Sequence, residues 1–170
     1  MNYNQIITEN IKIDDKCNIT YKTSKNNIRK LTIRTPPLYL PFGIDKHENN
    51  LYLNVQLRKN KDPKHNTELG LFEKCIQNIE TLFKERLGMN VNSQIRYKDG
   101  YDPIISFKVL KNKNKIITEV KQGNSFYNFY NIKKQFVIVS DIIIDRLWIV
   151  NNIIYYKIKL NKIDIAFNKT

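Results

Sequence analysis

Two acidic residues and a lysine near the middle of the chain have types and spacing that could hold a divalent metal ion. Glu119 and Lys121 stand in the pattern Glu-X-Lys after an apolar stretch, and Asp102 lies upstream. Carboxylates at the ends of neighbouring strands can bind Mg²⁺ while a lysine orients water, as in many nucleases. Asp102, however, precedes Pro103 in DGYDP, which is typical of a turn. We therefore expect no enzymatic activity, and a Mg²⁺-dependent nuclease is kept as an alternative.

A larger set of residues combines aromatic rings with positive charge. Flat rings can stack on unpaired bases, which contributes about 1–3 kcal/mol per base, and Lys and Arg can neutralise phosphates. Because paired bases are already stacked, this mixture favours a single-stranded polynucleotide over a duplex. The residues predicted to contact it are Arg34, Tyr52, Arg58, Lys108, Lys121, Phe126, Tyr127, Tyr130, Lys133, Tyr155, Lys157 and Lys159.

The overall charge points to the same class of partner. The chain has 29 Lys and Arg against 16 Asp and Glu, which gives a net charge of +13. A surplus of this size attracts polyanions, either nucleic acids or anionic membrane surfaces. No apolar run approaches the roughly 20 residues that span a bilayer, and we expect no membrane partner. A scaffold whose charge serves only solubility or membrane attraction is a further alternative.

Metal and redox chemistry have little support in the sequence. His47 and His65 lie in polar stretches without Cys or acidic partners at ligand spacing, so no metal or other cofactor is predicted. Cys17 and Cys75 form no motif, which favours a reducing compartment. The chain opens without the basic-then-apolar pattern of a secretion signal, so we do not expect secretion.

One long helix is the clearest element that the sequence predicts. Asn66 or Thr67 can cap its start, and Gly88 suits its end. Between them, apolar residues recur at three- and four-residue steps and form one stripe. The stripe consists of Leu69, Phe72, Ile76, Ile79, Leu82, Phe83 and Leu87.

Alternating apolar and polar residues predict several short strands around this helix. Asn151 and Asn152 suit a hairpin turn between two of them, and Trp148 is expected in the core. Strands and helices do not alternate repeatedly, which excludes a doubly wound sheet. The predicted strands lie at 28–34, 51–58, 104–110, 115–120, within 135–150 and at 153–160.

These elements predict a mainly β fold with one long inserted α-helix. A five-stranded Greek-key barrel of the oligonucleotide-binding type, the OB-fold, fits them best. Residues 1–27 are polar and weakly periodic, and we expect a partly ordered N-terminal arm ahead of a domain at 28–170.

A proline-rich segment, TPPLYLPFGI at 35–44, follows the first predicted strand. Its three prolines fix φ and remove backbone donors, so we do not expect it in the middle of a sheet. It is predicted to cross the barrel as a rigid strap, with Leu38 and Leu40 filling the interior. Phe42 and Gly43 would then turn the chain into the next strand.

The order of these pieces resembles the single-stranded DNA-binding proteins of nucleocytoplasmic large DNA viruses. That family is similar to the single-stranded DNA-binding protein of short-tailed coliphages. The resemblance implies an OB barrel with the helix between strands, and a protein that coats and protects exposed strands during viral DNA replication, recombination and repair, without strong sequence preference. The segments that carry it are TPPLYLPFGI, LYLNVQL, LGLFEKCIQNIETLFKERL, YDPIISFKVL and RLWIVNNIIYYKIKLNKIDI.

The resemblance also implies partners and a location. Single-stranded DNA is the main partner, with replication proteins and a second copy of the chain as candidates, in the host cytoplasm at viral factories or in the nucleus. The chain ends in IDIAFNKT, without the acidic run of the coliphage relatives, so polymerase recruitment by such a tail is not expected. Nothing in the sequence reads a 2′-hydroxyl, and an RNA-binding OB protein stays open as an alternative.

Overall fold

The computed structural model describes residues 1–57 and 63–167, and these residues are mainly β with one long helix. Among them, no helix combines the length and apolar character needed to cross a bilayer. The helix α1 is Pro63–Leu87, and short 3-10 helices lie at Tyr3–Gln5, Thr8–Asn10 and Phe129–Asn131.

The strands are mostly short. The first nine are β1 (Ile11–Ile13), β2 (Ile19–Lys22), β3 (Ile28–Arg29), β4 (Leu31–Arg34), β5 (Leu38–Tyr39), β6 (Ile44–His47), β7 (Asn50–Gln56), β8 (Asn90–Val91) and β9 (Ile95–Arg96). The others are β10 (Ile104–Val109), β11 (Lys111–Asn112), β12 (Lys115–Ile116), β13 (Glu119–Gln122), β14 (Ser125–Phe126), β15 (Val137–Ile144), β16 (Leu147–Val150), β17 (Ile153–Tyr156) and β18 (Ile158–Phe167).

Five strands close into a barrel. β15 pairs antiparallel with β18, β18 pairs parallel with β10, and β10 pairs antiparallel with β7. β5 joins β7 back to β15 and completes the circle. The predicted OB-type barrel with one long helix is confirmed.

The interior of the barrel is apolar because alternate residues of each strand point inwards. In β10, for example, Ile105, Phe107 and Val109 are buried while Lys108 lies on the outer face. The same alternation, predicted for 51–58 and 153–160, buries Leu53, Val55, Ile158 and Leu160 on barrel strands, and Ile154 and Tyr156 of β17 in the common core.

Helix α1 packs its apolar stripe into the common core, where Leu69, Phe72, Ile76, Ile79 and Phe83 are buried. The Phe83 ring meets Tyr156 of β17 edge to face, with 5.6 Å between centroids. The helix begins at Pro63, so the predicted cap at Asn66 or Thr67 is wrong; proline suits a first turn because that turn needs no N–H partner. Gly88 follows the helix with φ +65°, as its predicted role as a helix stop requires.

Residues 1–27, predicted to be a partly ordered arm, pack against the rest of the molecule. β1, β2 and β3 form a small sheet, and Ile11, Ile19 and Tyr21 are buried in the common core. The Arg34 N–H donates to the carbonyl of Met1 at 2.7 Å. The division of the chain at residue 27 stays a prediction.

The proline-rich segment does more than cross the barrel. Leu38 and Leu40 are fully buried, as predicted. Leu38 and Tyr39 also pair with β15, and Tyr39 with β7, so the prediction that the segment avoids the middle of a sheet is wrong for these two residues. They lie between the prolines and keep their own N–H groups, which is why they can join the ladder.

Candidate nucleic-acid interface

An open groove lies on the outer face of the barrel, where β6 and β9 stand beside β7 and β10. It consists of two adjoining clefts of about 630 Å³ and about 450 Å³ that share Asp45 and Arg96. We call the pair the barrel groove. The first cleft contains Phe42, Lys98 and Tyr101, and the second contains Lys46, Tyr52 and Lys157.

Strand register brings three of the predicted residues into one row. Lys108 of β10 lies opposite Tyr52 of β7, and on its other side it lies beside Lys159 of β18. Neighbouring strands are about 4.8 Å apart, so the row crosses three strands in roughly 10 Å. Each of these residues takes an outward position, because its neighbours in the strand point into the core.

Tyr52 and Lys157 contact one another in the second cleft. The Lys157 Nζ lies 5.6 Å from the centroid of the Tyr52 ring, within cation–π range. Burial, and then the carboxylates of Glu48 and Asp45, raise the pKa of the Tyr52 hydroxyl. The ring therefore stays neutral at physiological pH and carries no charge that would repel a phosphate.

Tyr155, another predicted residue, stacks on Trp148 across the β16–β17 hairpin. The two rings have centroids 6.2 Å apart and planes 16° apart. The prediction that Trp148 lies in the core is wrong, since 40% of it is exposed. Leu147 takes the buried position of β16 instead. Tyr155 and Lys157 are two residues apart in an extended segment, so Tyr155 faces the same side as Lys157, roughly 7 Å from it.

Arg96 lies where the two clefts meet, and sequence reasoning missed it. Its Nη2 donates to Asn54 Oδ1 at 3.0 Å and to Ser106 Oγ at 2.9 Å. Ser106 Oγ donates in turn to Asn54 Oδ1 at 2.6 Å. Asn54 is buried, although the alternation of β7 predicts an outward, exposed position. β9 has only two residues, too few for any periodicity that could have drawn attention to Arg96.

Phe42 and Tyr101 were also missed as binding candidates. They are 55% and 70% exposed and line the first cleft. The Lys98 Nζ lies 5.1 Å from the centroid of the Tyr101 ring. Both rings belong to segments that the sequence marks as turns, Pro-Phe-Gly and Asp-Gly-Tyr-Asp-Pro. An exposed ring in a turn is itself the signal that could have found them.

Comparison with known proteins shows which solved structures have a similar fold. No protein-family model and no curated relative matches the sequence. Among solved structures, the single-stranded DNA-binding protein from bacteriophage Enc34 superposes with a TM-score of 0.52 at 12% identity, over 98% of this chain and 89% of that one. A C-terminal truncation of it gives 0.50 at 13% identity, over 98% and 94%.

The chain is an OB-fold protein. At this identity the likeness establishes the fold, and it agrees with the phage-type architecture that the sequence resemblance implied. Membership of the family from nucleocytoplasmic large DNA viruses stays a prediction.

Three of the predicted cations are paired with carboxylates on the OB barrel. Arg34 on β4 donates from Nη1 to Asp141 at 3.0 Å and from Nη2 to Asp164 at 2.6 Å. The bond to Asp164, followed by that to Asp141, raises the pKa of the Arg34 guanidinium against the opposing effect of burial. A phosphate that approaches Arg34 must compete with both carboxylates.

Lys121 and Lys159 have carboxylate partners as well. Lys121 Nζ lies 2.8 Å from Glu119 Oε1, and Lys159 Nζ lies 2.9 Å from Asp145 Oδ1. The bond to Lys121 is the main cause of the lowered pKa of Glu119. Counting cations in the sequence therefore overstates the charge that these positions offer to DNA.

Four more predicted residues lie away from the barrel groove. They belong to a region formed by β13, β14 and the segment 127–133, which we call the wing. Phe126 is 79% exposed, and Lys121 Nζ lies 5.1 Å from its ring centroid. Tyr130 and Lys133 are exposed, while Tyr127 is partly buried and packs its ring against Phe136. β18 and β10 separate β13 from β7, so the predicted residues form two groups.

The remaining predicted positions concern the nuclease hypothesis and Arg58. Asp102 accepts from Gln56 Nε2 at 2.6 Å and lines the barrel groove, whereas Glu119 bonds to Lys121 and lines a different cavity by the wing. Within residues 1–57 and 63–167, no group of three or more His, Cys, Asp and Glu side chains is placed to hold a metal ion. Arg58 lies outside the described residues.

Proposed function

We propose that this OB-fold protein binds single-stranded DNA in the barrel groove and coats exposed strands during viral DNA replication, recombination and repair. One observation carries the proposal: rings and cations line two adjoining open clefts that share Asp45 and Arg96. Stacking on rings and neutralisation of phosphates are the two interactions that hold an unpaired strand. The groove supplies both through Phe42, Tyr52, Tyr101, Arg96 and Lys157.

The floor of the groove supports binding without strong sequence preference. Sequence is read through hydrogen bonds to base edges, which need donors and acceptors that are available to the base. Asn54 and Ser106 are bonded to Arg96 and to each other, so their capacity is largely used within the protein. Stacking, by contrast, tolerates every base because each has a flat face.

The fold relationship supports the same function. Both solved structures compared above are named as single-stranded DNA-binding protein from bacteriophage Enc34. A shared fold does not by itself imply a shared function, because function belongs to the site. Here the open groove supplies the site-level chemistry that the fold alone does not.

The proposal extends to the cellular setting. The protein acts without catalysis, in the host cytoplasm at viral factories or in the nucleus. Its expected protein partners are replication proteins that contact the coated strand. A second copy of the chain is a further candidate partner, with which it would form a homodimer.

A salt series of titrations with oligo-dT and a matched duplex tests the proposal. Oligo-dT is expected to bind at least tenfold tighter than the duplex. The log–log salt slope is expected to be about −0.7 for each phosphate neutralised. Equal affinity for oligo-dT and duplex would overturn the stacking mechanism, and the absence of any binding at low salt would favour a scaffold whose charge serves only solubility or membrane attraction.

Two further experiments test the RNA-binding and nuclease hypotheses. Competition between oligo-dT and oligo-U distinguishes a DNA-binding from an RNA-binding protein, with oligo-dT expected to win. Incubation of labelled single-stranded DNA with Mg²⁺ or Mn²⁺ is expected to leave it intact. Cleavage that disappears in both Glu119→Gln and Lys121→Met variants would establish the nuclease instead.

A further inference from the structure

Arg96 joins the two clefts of the barrel groove, and we propose that it is a preformed seat for one backbone phosphate of the bound strand. The inference rests on the proposed function and adds to it a fixed point through which the DNA backbone passes.

Hydrogen bonds hold the Arg96 guanidinium in one orientation. Its Nη2 donates to Asn54 at 3.0 Å and Ser106 at 2.9 Å. Those two acceptor oxygens are only 2.6 Å apart, so they occupy one side of that nitrogen. Asn54 is buried and belongs to the barrel wall, which makes it a rigid anchor. A side chain that is already oriented loses less conformational entropy when it binds a ligand.

The rest of the Arg96 donor fork is available to a ligand. A guanidinium has five N–H donors in a fixed plane, and no residue in the described part of the chain accepts a hydrogen bond from Arg96 Nη1 or Nε. Phosphate oxygens match this fork, and charge-assisted bonds of this kind are about twice as strong as neutral ones. Arg96 is itself exposed and lines both clefts, so a strand in the groove can reach these donors.

The charge of Arg96 also differs from that of three predicted cations, which have carboxylate partners. Arg34, Lys121 and Lys159 each pair with a carboxylate, whereas Arg96 forms no ion pair with any described residue. Asp45 and Asp102, the two carboxylates in its cleft, are instead bonded to Asn54 and Gln56. A phosphate at Arg96 therefore does not have to displace a bonded carboxylate, although Asp45 and Asp102 keep their negative charge in the same cleft.

The position of Arg96 between rings favours a phosphate over a base as its ligand. Phe42 and Tyr101 lie in one cleft and Tyr52 in the other. When bases stack in both clefts, the backbone that links them must cross the point where Arg96 stands. The edge of a guanine base offers a similar pair of acceptors to an arginine. The test therefore uses oligo-dT, which contains no guanine.

The test compares Arg96→Ala, Arg96→Lys and Ser106→Ala with the unchanged protein, using short oligo-dT across a salt series. Arg96→Ala is expected to lower the affinity at least tenfold and to reduce the magnitude of the salt slope by about 0.7, the value for one phosphate. Arg96→Lys keeps the charge but loses the oriented fork, so it is expected to lose most of the affinity with its slope unchanged. Ser106→Ala is expected to weaken binding severalfold, also with an unchanged slope.

Arg29→Lys is the matched control, because it makes the same change at an exposed arginine of β3 that lines neither cleft; its affinity is expected to stay within twofold. Thermal melts of each variant check that the barrel is intact. If Arg96→Lys binds as tightly as the unchanged protein, Arg96 is only a diffuse charge and the seat is refuted while the proposed function stands. If the unchanged protein itself fails to bind oligo-dT, the proposed function and the seat are both refuted.

Discussion

The Tyr52 ring at the base of the second cleft gives the sharpest test of how the groove holds a base. Tyr52→Leu removes the flat ring and leaves a shorter apolar side chain on the outer face of β7. Lys157 Nζ stands 5.6 Å from the ring centroid and occupies part of the space beside the ring. The ring can therefore stack on one base at most, and a one-base loss is the relevant magnitude.

Stacking of one base contributes about 1–3 kcal/mol, which corresponds to roughly a 5- to 150-fold change in dissociation constant. The cation–π contact with Lys157 contributes about 0.5–1 kcal/mol at an exposed site, and its loss also frees the lysine to move. We expect Tyr52→Leu to weaken oligo-dT binding by about tenfold or more. Duplex binding, which cannot use the ring, is expected to change by less than about twofold.

Tyr52→Phe is the matched control. It keeps the ring and the contact with Lys157 and removes only the hydroxyl. Because burial raises the pKa of that hydroxyl, it is protonated and uncharged at neutral pH, and its removal leaves the charge of the groove unchanged. Oligo-dT affinity is expected to stay within about twofold of that of the unchanged protein.

The assay is fluorescence anisotropy of end-labelled oligo-dT at fixed salt, with a thermal melt of each variant. The outward position of Tyr52 makes a large loss of stability unexpected. If Tyr52→Leu and Tyr52→Phe bind equally and as tightly as the unchanged protein, the ring is not a stacking surface, and this part of the groove argument is refuted.

Three other predictions follow from the site and the core. Trp148 is the only tryptophan and is 40% exposed, so its fluorescence is expected to be quenched by oligo-dT; unchanged emission at saturation would place the strand away from the hairpin. Asp145→Asn is expected to release Lys159 and strengthen binding at low salt, with the salt slope about 0.7 larger in magnitude, and no change would show that Lys159 does not reach DNA. Partial burial raises the pKa of the Cys75 thiol to about 12, so in a Cys17→Ser variant iodoacetamide at pH 8 is expected to label Cys75 much more slowly in the folded than in the denatured protein; equal rates would contradict the raised pKa.

Period-two alternation was enough to predict the strands and part of the site. The outward positions of Tyr52, Lys108 and Lys159 follow from the apolar residues beside them, and strand register then places the three in one row. The helix was equally visible, because its stripe repeats over several turns. These features depend on the local periodicity of apolar residues, which can be read directly from a single sequence.

The centre of the groove could not be predicted in the same way. Arg96 stands in a two-residue strand, and Phe42 and Tyr101 stand in turns, where no period exists to assign a face. Their proximity results from tertiary packing of β6 and β9 against β7 and β10. Trp148 was misplaced because its neighbours are apolar, yet a hairpin that projects from the barrel leaves those neighbours exposed too.

Charge compensation favours the barrel groove over the wing as the principal binding surface. Both surfaces carry exposed rings with a lysine above one of them, so aromatic content alone does not separate them. On the wing side, Lys121 is held by Glu119, and Arg34 by two carboxylates. A phosphate at Lys121 or Arg34 must displace an existing partner and gains only the difference between two similar interactions. At Arg96 it displaces no carboxylate, and it meets a guanidinium already held in position by the barrel wall.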